Sequence, residues 1–229
     1  TEVRRHGAEN WSLSLEELDA LLYARGAYSA TNLKLYHMWL NVWGPPVFSQ
    51  TMGRNRFKEI LCYLRFDIKN SRSERLKTDK FALVSETWNT FIENCLFCYK
   101  QGQDVTVDEQ LFPSKARCNF TQFMANKPDK FGIKFWMLAD VKSKYMCNAF
   151  PYLGKDELRP EGESLPENVV IRLMEPYLRT GRNVTTDNFF TSFKLAERLK
   201  AMQTSIVGAM KRTRNSNSCM QLQRKSAFF

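Results

Sequence analysis

Through the first hundred residues apolar side chains return every three or four positions, the spacing that lines up one face of an α-helix. Leu15, Leu18, Leu21 and Leu22 form such a stripe, which ends near Gly26. It opens on Ser14-Leu-Glu-Glu17, a capping box in which hydroxyl and carboxylate satisfy each other's backbone amides. Leu35, Met38, Trp39 and Val42 predict a second helix over Asn32–Trp43, stopped by Gly44-Pro-Pro46. Phe57, Ile60, Leu61 and Leu64 predict a third. Phe81, Val84, Trp88, Phe91, Ile92 and Cys95 predict a long fourth, reaching about Tyr99. Residues 67–80 are polar and mixed in charge, which reads as a loop, and residues 1–10 read as a loose polar segment.

After Gly102 the period changes to two. In Gln103–Leu111, Val105, Val107 and Leu111 mark one face and Thr106, Asp108 and Gln110 the other, the signature of a half-buried β-strand. A later run, Asn183–Ser192, has the same character and carries Asp187. Gly132–Leu138 is more apolar and reads as a buried strand. Lys144–Tyr152 follows it across the short turn Asp140–Ser143, which suits an antiparallel hairpin, and Ser205–Met210 is a fifth strand. Ser164-x-x-Glu167 opens a helix carrying Val169, Val170, Leu173, Met174 and Tyr177. A shorter helix runs through Leu195, Ala196 and Leu199.

Three strands followed by helix–strand–helix–strand predict an α/β fold: an antiparallel unit joined to two parallel crossovers, preceded by an all-helical region. This order sets the Asp108 and Asp187 strands side by side at the sheet centre. A carboxylate on a half-buried strand costs desolvation energy unless it is paired, hydrogen-bonded or neutralised by a cation. The two acids are therefore expected to share a divalent metal. The predicted topology resembles that of the RNase H-like nucleases and integrases, a resemblance that implies two carboxylates on adjacent strands holding Mg²⁺ for phosphoryl transfer. The corresponding division is a helical region over 1–100, the core over 101–212 and an irregular tail over 213–229.

Composition narrows the partners. The 229 residues are 43% apolar, enough for one large domain or two smaller ones. Thirty-four Lys and Arg against 24 Asp and Glu give +10, with a pI near 9.4, which points to a polyanion such as nucleic acid. No apolar run approaches the ~18 residues of a membrane span, and residues 1–6 lack a signal-peptide core, so no membrane partner is expected. Six cysteines scattered through apolar segments read as reduced thiols. Cys95 and Cys98 form a lone Cys-x-x-Cys with only His6 and His37 in the chain, so buried free thiols are expected rather than a zinc site. A Gly-rich phosphate loop, a Gly-x-Ser-x-Gly elbow and a His-Glu-x-x-His helix are all absent, and no small-molecule cofactor is implied.

Several longer stretches are distinctive: Met-Gly-Arg-Asn-Arg-Phe-Lys-Glu-Ile (52–60), Thr-Val-Asp-Glu-Gln-Leu (106–111) and Lys-Ala-Arg-Cys-x-Phe-x-Gln-Phe-Met-x-Asn-Lys-Pro-Asp-Lys-Phe-Gly-Ile-Lys (115–134), then Pro-Tyr-Leu-Gly (151–154), Thr-Asp-Asn-Phe-Phe-Thr-Ser (186–192) and Ile-Val-Gly (206–208). Together, in this order, they resemble one family, the piggyBac-type DDE transposases and their domesticated relatives. The resemblance implies a helical dimerisation and DNA-binding region ahead of an RNase H-like core. It also implies that Asp108 and Asp187 are the first two members of a catalytic acid triad. Carboxylates suit that chemistry because hard Mg²⁺ ions, ~4 Å apart, activate the attacking oxygen and stabilise the leaving one. Members cut and rejoin DNA at TTAA targets with the excised end held as a hairpin, which implies a nuclear location, double-stranded DNA as partner and a homodimer as a further one.

Basic residues supply the DNA candidates. Arg54, Arg56 and Lys58 lie on the solvent side of the third helix and suit a phosphate backbone, or equally a solvated charged face. Lys115, Arg117, Lys127, Lys130 and Lys134 are interleaved with Phe120, Phe123 and Phe131 in the loop 113–134. Within that loop the cations are assigned to DNA and the aromatics to packing on the sheet. Glu109 points away from Asp108, towards a salt bridge or helix contact. Asp140 is the first alternative third acid, although its turn position suits local hydrogen bonding.

The departures from the family are specific. Its third Asp lies downstream of an inserted domain, whereas beyond Asp187 this chain has no Asp and a single Glu, Glu197. The Cys-rich zinc-binding C-terminus is missing, Ala116 and Ala125 stand where relatives usually carry Gly and Pro, and the pattern is lost after Lys211-Arg212. The expectation is a truncated, transposase-derived DNA-binding protein with two-thirds of its metal site, so that Mg²⁺ binding is weak or absent. The alternatives are residual Mg²⁺-dependent nicking, with a partner chain or Asp140 supplying the third group, and a transposon remnant with no selected role.

Overall fold

The computed structural model describes residues 11–29, 34–40, 42, 44–114, 116, 118–154 and 159–210. The chain divides into two compact units, Thr1–Ile68 and Lys69–Phe229.

The first unit is helical: α1 (Leu15–Ser29), α2 (Leu35–Met38), α3 (Pro46–Thr51) and α4 (Arg54–Tyr63). The capping box forms as read, the Glu17 amide donating to Ser14 Oγ and the Ser14 amide to Glu17 Oε2, each at 3.2 Å. Leu21, Ala24, Met38, Phe48, Phe57 and Ile60 are buried together. Trp39 packs between Phe48 and Phe57, its ring 5.2 and 5.1 Å from theirs, while its indole N–H donates to Met52 O at 2.7 Å. The helix expected over Asn32–Trp43 is shorter, Leu35–Met38, with residues 32, 33, 41 and 43 outside the described set. Pro46 does not only end a helix. It opens α3 from the first turn, where its missing N–H and preset φ cost nothing.

The second unit begins with a correction. Residues 69–78 form α5 (Lys69–Thr78), not a loop. It lacks an apolar stripe and is held by polar contacts: Lys77 pairs with Glu74 at 2.7 Å, and Arg75 donates to Ala82 O at 2.7 Å. Helix α6 (Ser85–Cys98) starts four residues later than Phe81, because the Phe81 amide is taken by Asp79 Oδ1 in a preceding turn. Cys95 is buried as expected, whereas Cys98 is exposed. Residues i and i+3 share a helix face, yet Cys98 is the last residue of α6 and its side chain stays in solvent.

Among the described residues six strands form one mixed sheet: β1 (Asp104–Pro113), β2 (Thr121–Phe123), β3 (Phe131–Asp140), β4 (Met146–Pro151), β5 (Asn183–Thr186) and β6 (Ser205–Gly208). The short strand β2 lies inside the stretch read as loop. Its order is β3-β1-β5-β6, with β2 and β4 sharing the other edge of β3; β1 is antiparallel to β3 and parallel to β5, which is parallel to β6. Helices α7 (Leu165–Met174) and α8 (Phe193–Ala201) make the crossovers, a 3-10 turn (Glu175–Tyr177) following α7. Ser164 and Ser192 cap them, accepting from the amides of Glu167 and Leu195.

The two faces of the sheet differ. Val105, Val107, Trp136, Leu138 and Val184 pack with Val169, Val170 and Leu173 of α7 and Leu195 and Leu199 of α8 into a dry core. On the other face Phe135 meets Trp88 of α6 at 4.6 Å and Phe81 at 6.0 Å. That contact explains why the compact units part at Ile68/Lys69, well before the change of pattern near residue 100: α6 belongs with the sheet. Beyond Phe135 the same face opens, leaving Asp108, Gln110, Thr185 and Val207 exposed.

Candidate functional site

Asp108 lies midway along β1, and Asp187 follows directly on the C-terminal end of the neighbouring parallel strand β5. Pairing of β1 with β5 runs from Asp104↔Asn183 to Val107↔Thr186, so the next step in register sets Asp108 beside Asp187. Strands pair about 4.8 Å apart. Alternation with buried Val107 and Thr186 turns both acids to the open face, and both are exposed. Each is held by its own backbone: Asp108 Oδ1 accepts from the Glu109 amide at 2.8 Å, and Asp187 Oδ1 from the Phe189 amide at 2.9 Å.

The Asp187 turn is clamped from below. Thr191 Oγ1 donates to Asp187 O at 2.7 Å, so Thr186 must supply the proton in the 2.8 Å bond between the two threonine hydroxyls. Gly208 of β6 fits against Thr191 Oγ1 with no room for a Cβ. These positioning residues fall within quoted motifs, yet their hydroxyl chain is a tertiary contact that no spacing announces.

Glu109 does face away from Asp108, in register with Trp136 on the core side, and lies 3.9 Å from Lys127. Burial pushes its carboxyl above the ordinary range, with Lys134 opposing that shift. Lys134 lies 3.9 Å over the Trp136 ring and 5.7 Å from that of Phe189. Burial lowers its ammonium, while Glu109, Asp108 and Asp187 favour the charged form. Lys134 thus sits within the field of both acids as an internal counter-charge.

Asp140 is no third ligand. It pairs with Val105, three residues along β1 from Asp108 and on the opposite face, and is only 1% exposed. Its oxygens accept from the amides of Gly102, Lys142 and Ser143 and from Ser143 Oγ. The Ser143 and Gly102 amides, above all, hold its carboxyl down at about 2. Among the described residues no three His, Cys, Asp or Glu side chains gather in a group that could hold a metal. Asp108 and Asp187 nevertheless suit Mg²⁺ as hard oxygen donors, since such ions are commonly held by one or two carboxylates with water and substrate phosphate completing the shell.

The basic candidates separate by environment. Lys58 and Lys130 are exposed. Arg54 lies 5.6 Å over the Tyr36 ring. Arg56 is engaged within its unit, bonding Glu17 at 2.7 Å and Glu59 at 2.9 Å and stacking on Trp11 at 4.9 Å. Those contacts raise its guanidinium still further and hold the Glu17 carboxyl at about 2. Lys127 and Lys134 have the internal partners described above, and Lys115 and Arg117 lie outside the described residues.

A family model described as Transposase IS4 matches residues 4–228. The chain belongs to this transposase family. Its kinship is piggyBac-type: it is 27% identical over 168 residues to the human PiggyBac transposable element-derived protein 3, covering 72% of this chain and 28% of that relative. It also superposes with a TM-score of 0.81 and 31% identity on a chain of the piggyBac transposase synaptic complex with hairpin DNA, solved by cryo-EM. That match takes in 93% of this chain and 45% of the solved one. The chain therefore spans less than half the length of these relatives. The resemblance read from the motifs is correct.

Proposed function

We propose that this chain is a transposase-derived, nuclear DNA-binding protein built on an RNase H-like core, kin to enzymes of cut-and-paste transposition at TTAA sites and catalytically incomplete as it stands. The observation carrying this reading is the pair of carboxylates aligned by parallel register on an open sheet face, with no third acid grouped beside them among the described residues. Double-stranded DNA is the partner, approached through Lys58, Lys130, Arg54, Lys115 and Arg117. Arg56 in the first unit and Lys127 and Lys134 in the second act mainly by holding their own surroundings together, and a homodimer is the proposed assembly. Asp108 and Asp187 would hold Mg²⁺, which when bound would polarise a scissile phosphate. Lys134 tempers the repulsion between the two acids, and Thr191 fixes the backbone that presents Asp187.

Binding to a duplex should weaken steeply with salt, because each neutralised phosphate releases condensed counterions. A flat dependence of affinity on salt removes the DNA reading. The exposed, adjacent acids favour one second reading, Mg²⁺-dependent nicking with a partner chain supplying the third group. Incubating a TTAA-containing duplex with Mg²⁺ or Mn²⁺ tests it: the reading requires cutting that Asp108→Asn abolishes.

A further inference from the structure

The aromatic residues of the 113–134 stretch do not share one fate. Phe120 is 8% exposed and packs on Phe81, as a sheet-covering side chain should. Phe123 and Phe131 are 59% and 60% exposed. They are direct register partners on β2 and β3, with rings 5.0 Å apart, so they form one apolar plate rather than two stray side chains. The loop between them is closed by the Met124 amide donating to Lys130 O at 2.8 Å, and Lys127 ties it towards Glu109. Lys130 is exposed directly beside Phe131.

The plate lies on the same sheet face as Asp108. Register pairs Asp108 with Met137 and Phe112 with Ile133, so Phe131 shares the alternation of these positions. It is six residues along β3 from Met137, about 20 Å at roughly 3.3 Å per residue. Phe112, 44% exposed, lies between them on β1. Ile133 and Phe135 on β3 are covered by Phe81 and Trp88, so the open route follows β1 past Phe112 and Gln110, a distance that a few extended nucleotides cover.

We propose that Phe123 and Phe131 form a stacking platform for an unpaired nucleobase of the DNA strand whose phosphates run past Lys130 towards Asp108. The inference rests on the DNA reading above and adds to it a preference for frayed or overhanging ends over closed duplex. Phosphate contact by the lysines is indifferent to base pairing, whereas a flat aromatic surface gains contact only when a base leaves its stack.

The test uses the full chain and two fluorescent DNAs: a blunt duplex, and the same duplex with a short single-stranded overhang carrying 2-aminopurine. The overhang DNA is expected to bind tighter by roughly tenfold, with the 2-aminopurine emission quenched. The double variant Phe123→Leu, Phe131→Leu keeps apolar bulk without π faces. It should lose both the preference and the quenching while binding blunt duplex unchanged. Lys130→Ala should weaken both DNAs alike. Preference and quenching that survive in the double variant overturn the platform alone. Failure of the unmodified chain to bind either DNA overturns the DNA reading and the platform with it. A dimer lost in the double variant, with its DNA preference intact, reassigns the plate to a protein contact.

Discussion

Two aspartates on one sheet have opposite chemistry. Asp108 is exposed with a single amide on one oxygen, whereas Asp140 is buried and accepts four donors, three of them backbone amides. Asp140→Asn should cost about 2–3 kcal/mol, because hydrogen bonds to a buried charge are lost and an amide must fit where only acceptors are wanted. The pH dependence has a definite sign. An unfolded Asp titrates near 3.9, while the fold holds Asp140 at about 2. Its contribution is complete above the unfolded value, declines as pH falls towards about 2, and is gone below it. Urea titrations of both proteins across that window should converge at the acid end. Glu109 runs the other way: burial raises its carboxyl, so its ionisation costs stability as pH climbs from the unfolded value through the higher folded one. In the sequence Asp140 was legible as a turn residue. What it lacked was the far partner, the Gly102 amide.

At the scale of elements, Gly132 decides whether the β1–β3 ladder reaches the aromatic hairpin. It opposes Pro113, and a Cβ there would run into Phe112 O and the Phe112 carbonyl carbon at 2.8 Å. Backbone on a paired strand cannot yield as a side chain tip can. Gly132→Ala should destabilise the protein by about 2 kcal/mol or more and loosen the hairpin first, visible as faster amide exchange at Phe131 and Ile133 than at Leu138. Strands β1, β3, β4 and β5 and helices α4, α6, α7 and α8 were legible because apolar period and burial largely agree in them. Helix α1 forms where its stripe predicts, but of that stripe only Leu21 is buried while Leu15 and Leu22 are exposed, and β6 leaves Val207 exposed. Helix α5 was not. It buries no stripe, and its Glu74–Lys77 pair and the Arg75 bond to Ala82 O are short-range polar contacts that a hydrophobicity pattern ignores. Strand β2 escaped for another reason: three residues show too little alternation, and they are extended only because β3 offers a free edge.

For the whole molecule, the break at Ile68/Lys69 makes the second unit a candidate for independent folding, since its core draws on α6, α7, α8 and the sheet. A chain beginning at Lys69 should keep a cooperative thermal transition with native Trp fluorescence. A broad, non-cooperative melt would contradict that. By itself the sequence determined the order of most elements and the family, and it singled out Asp108 and Asp187 as candidates, because period, capping boxes and contiguous motifs are local properties of a chain. Tertiary structure alone decided which charges are available. Arg56 and Lys134 look like surface cations in sequence, yet one is held by Glu17 and Glu59 and the other lies over Trp136 beside Glu109. It also decided that Asp140 is spent in a turn and that Phe123 and Phe131 stay in solvent. Burial and pairing are set by residues far away along the chain, and only folding brings those neighbours into reach.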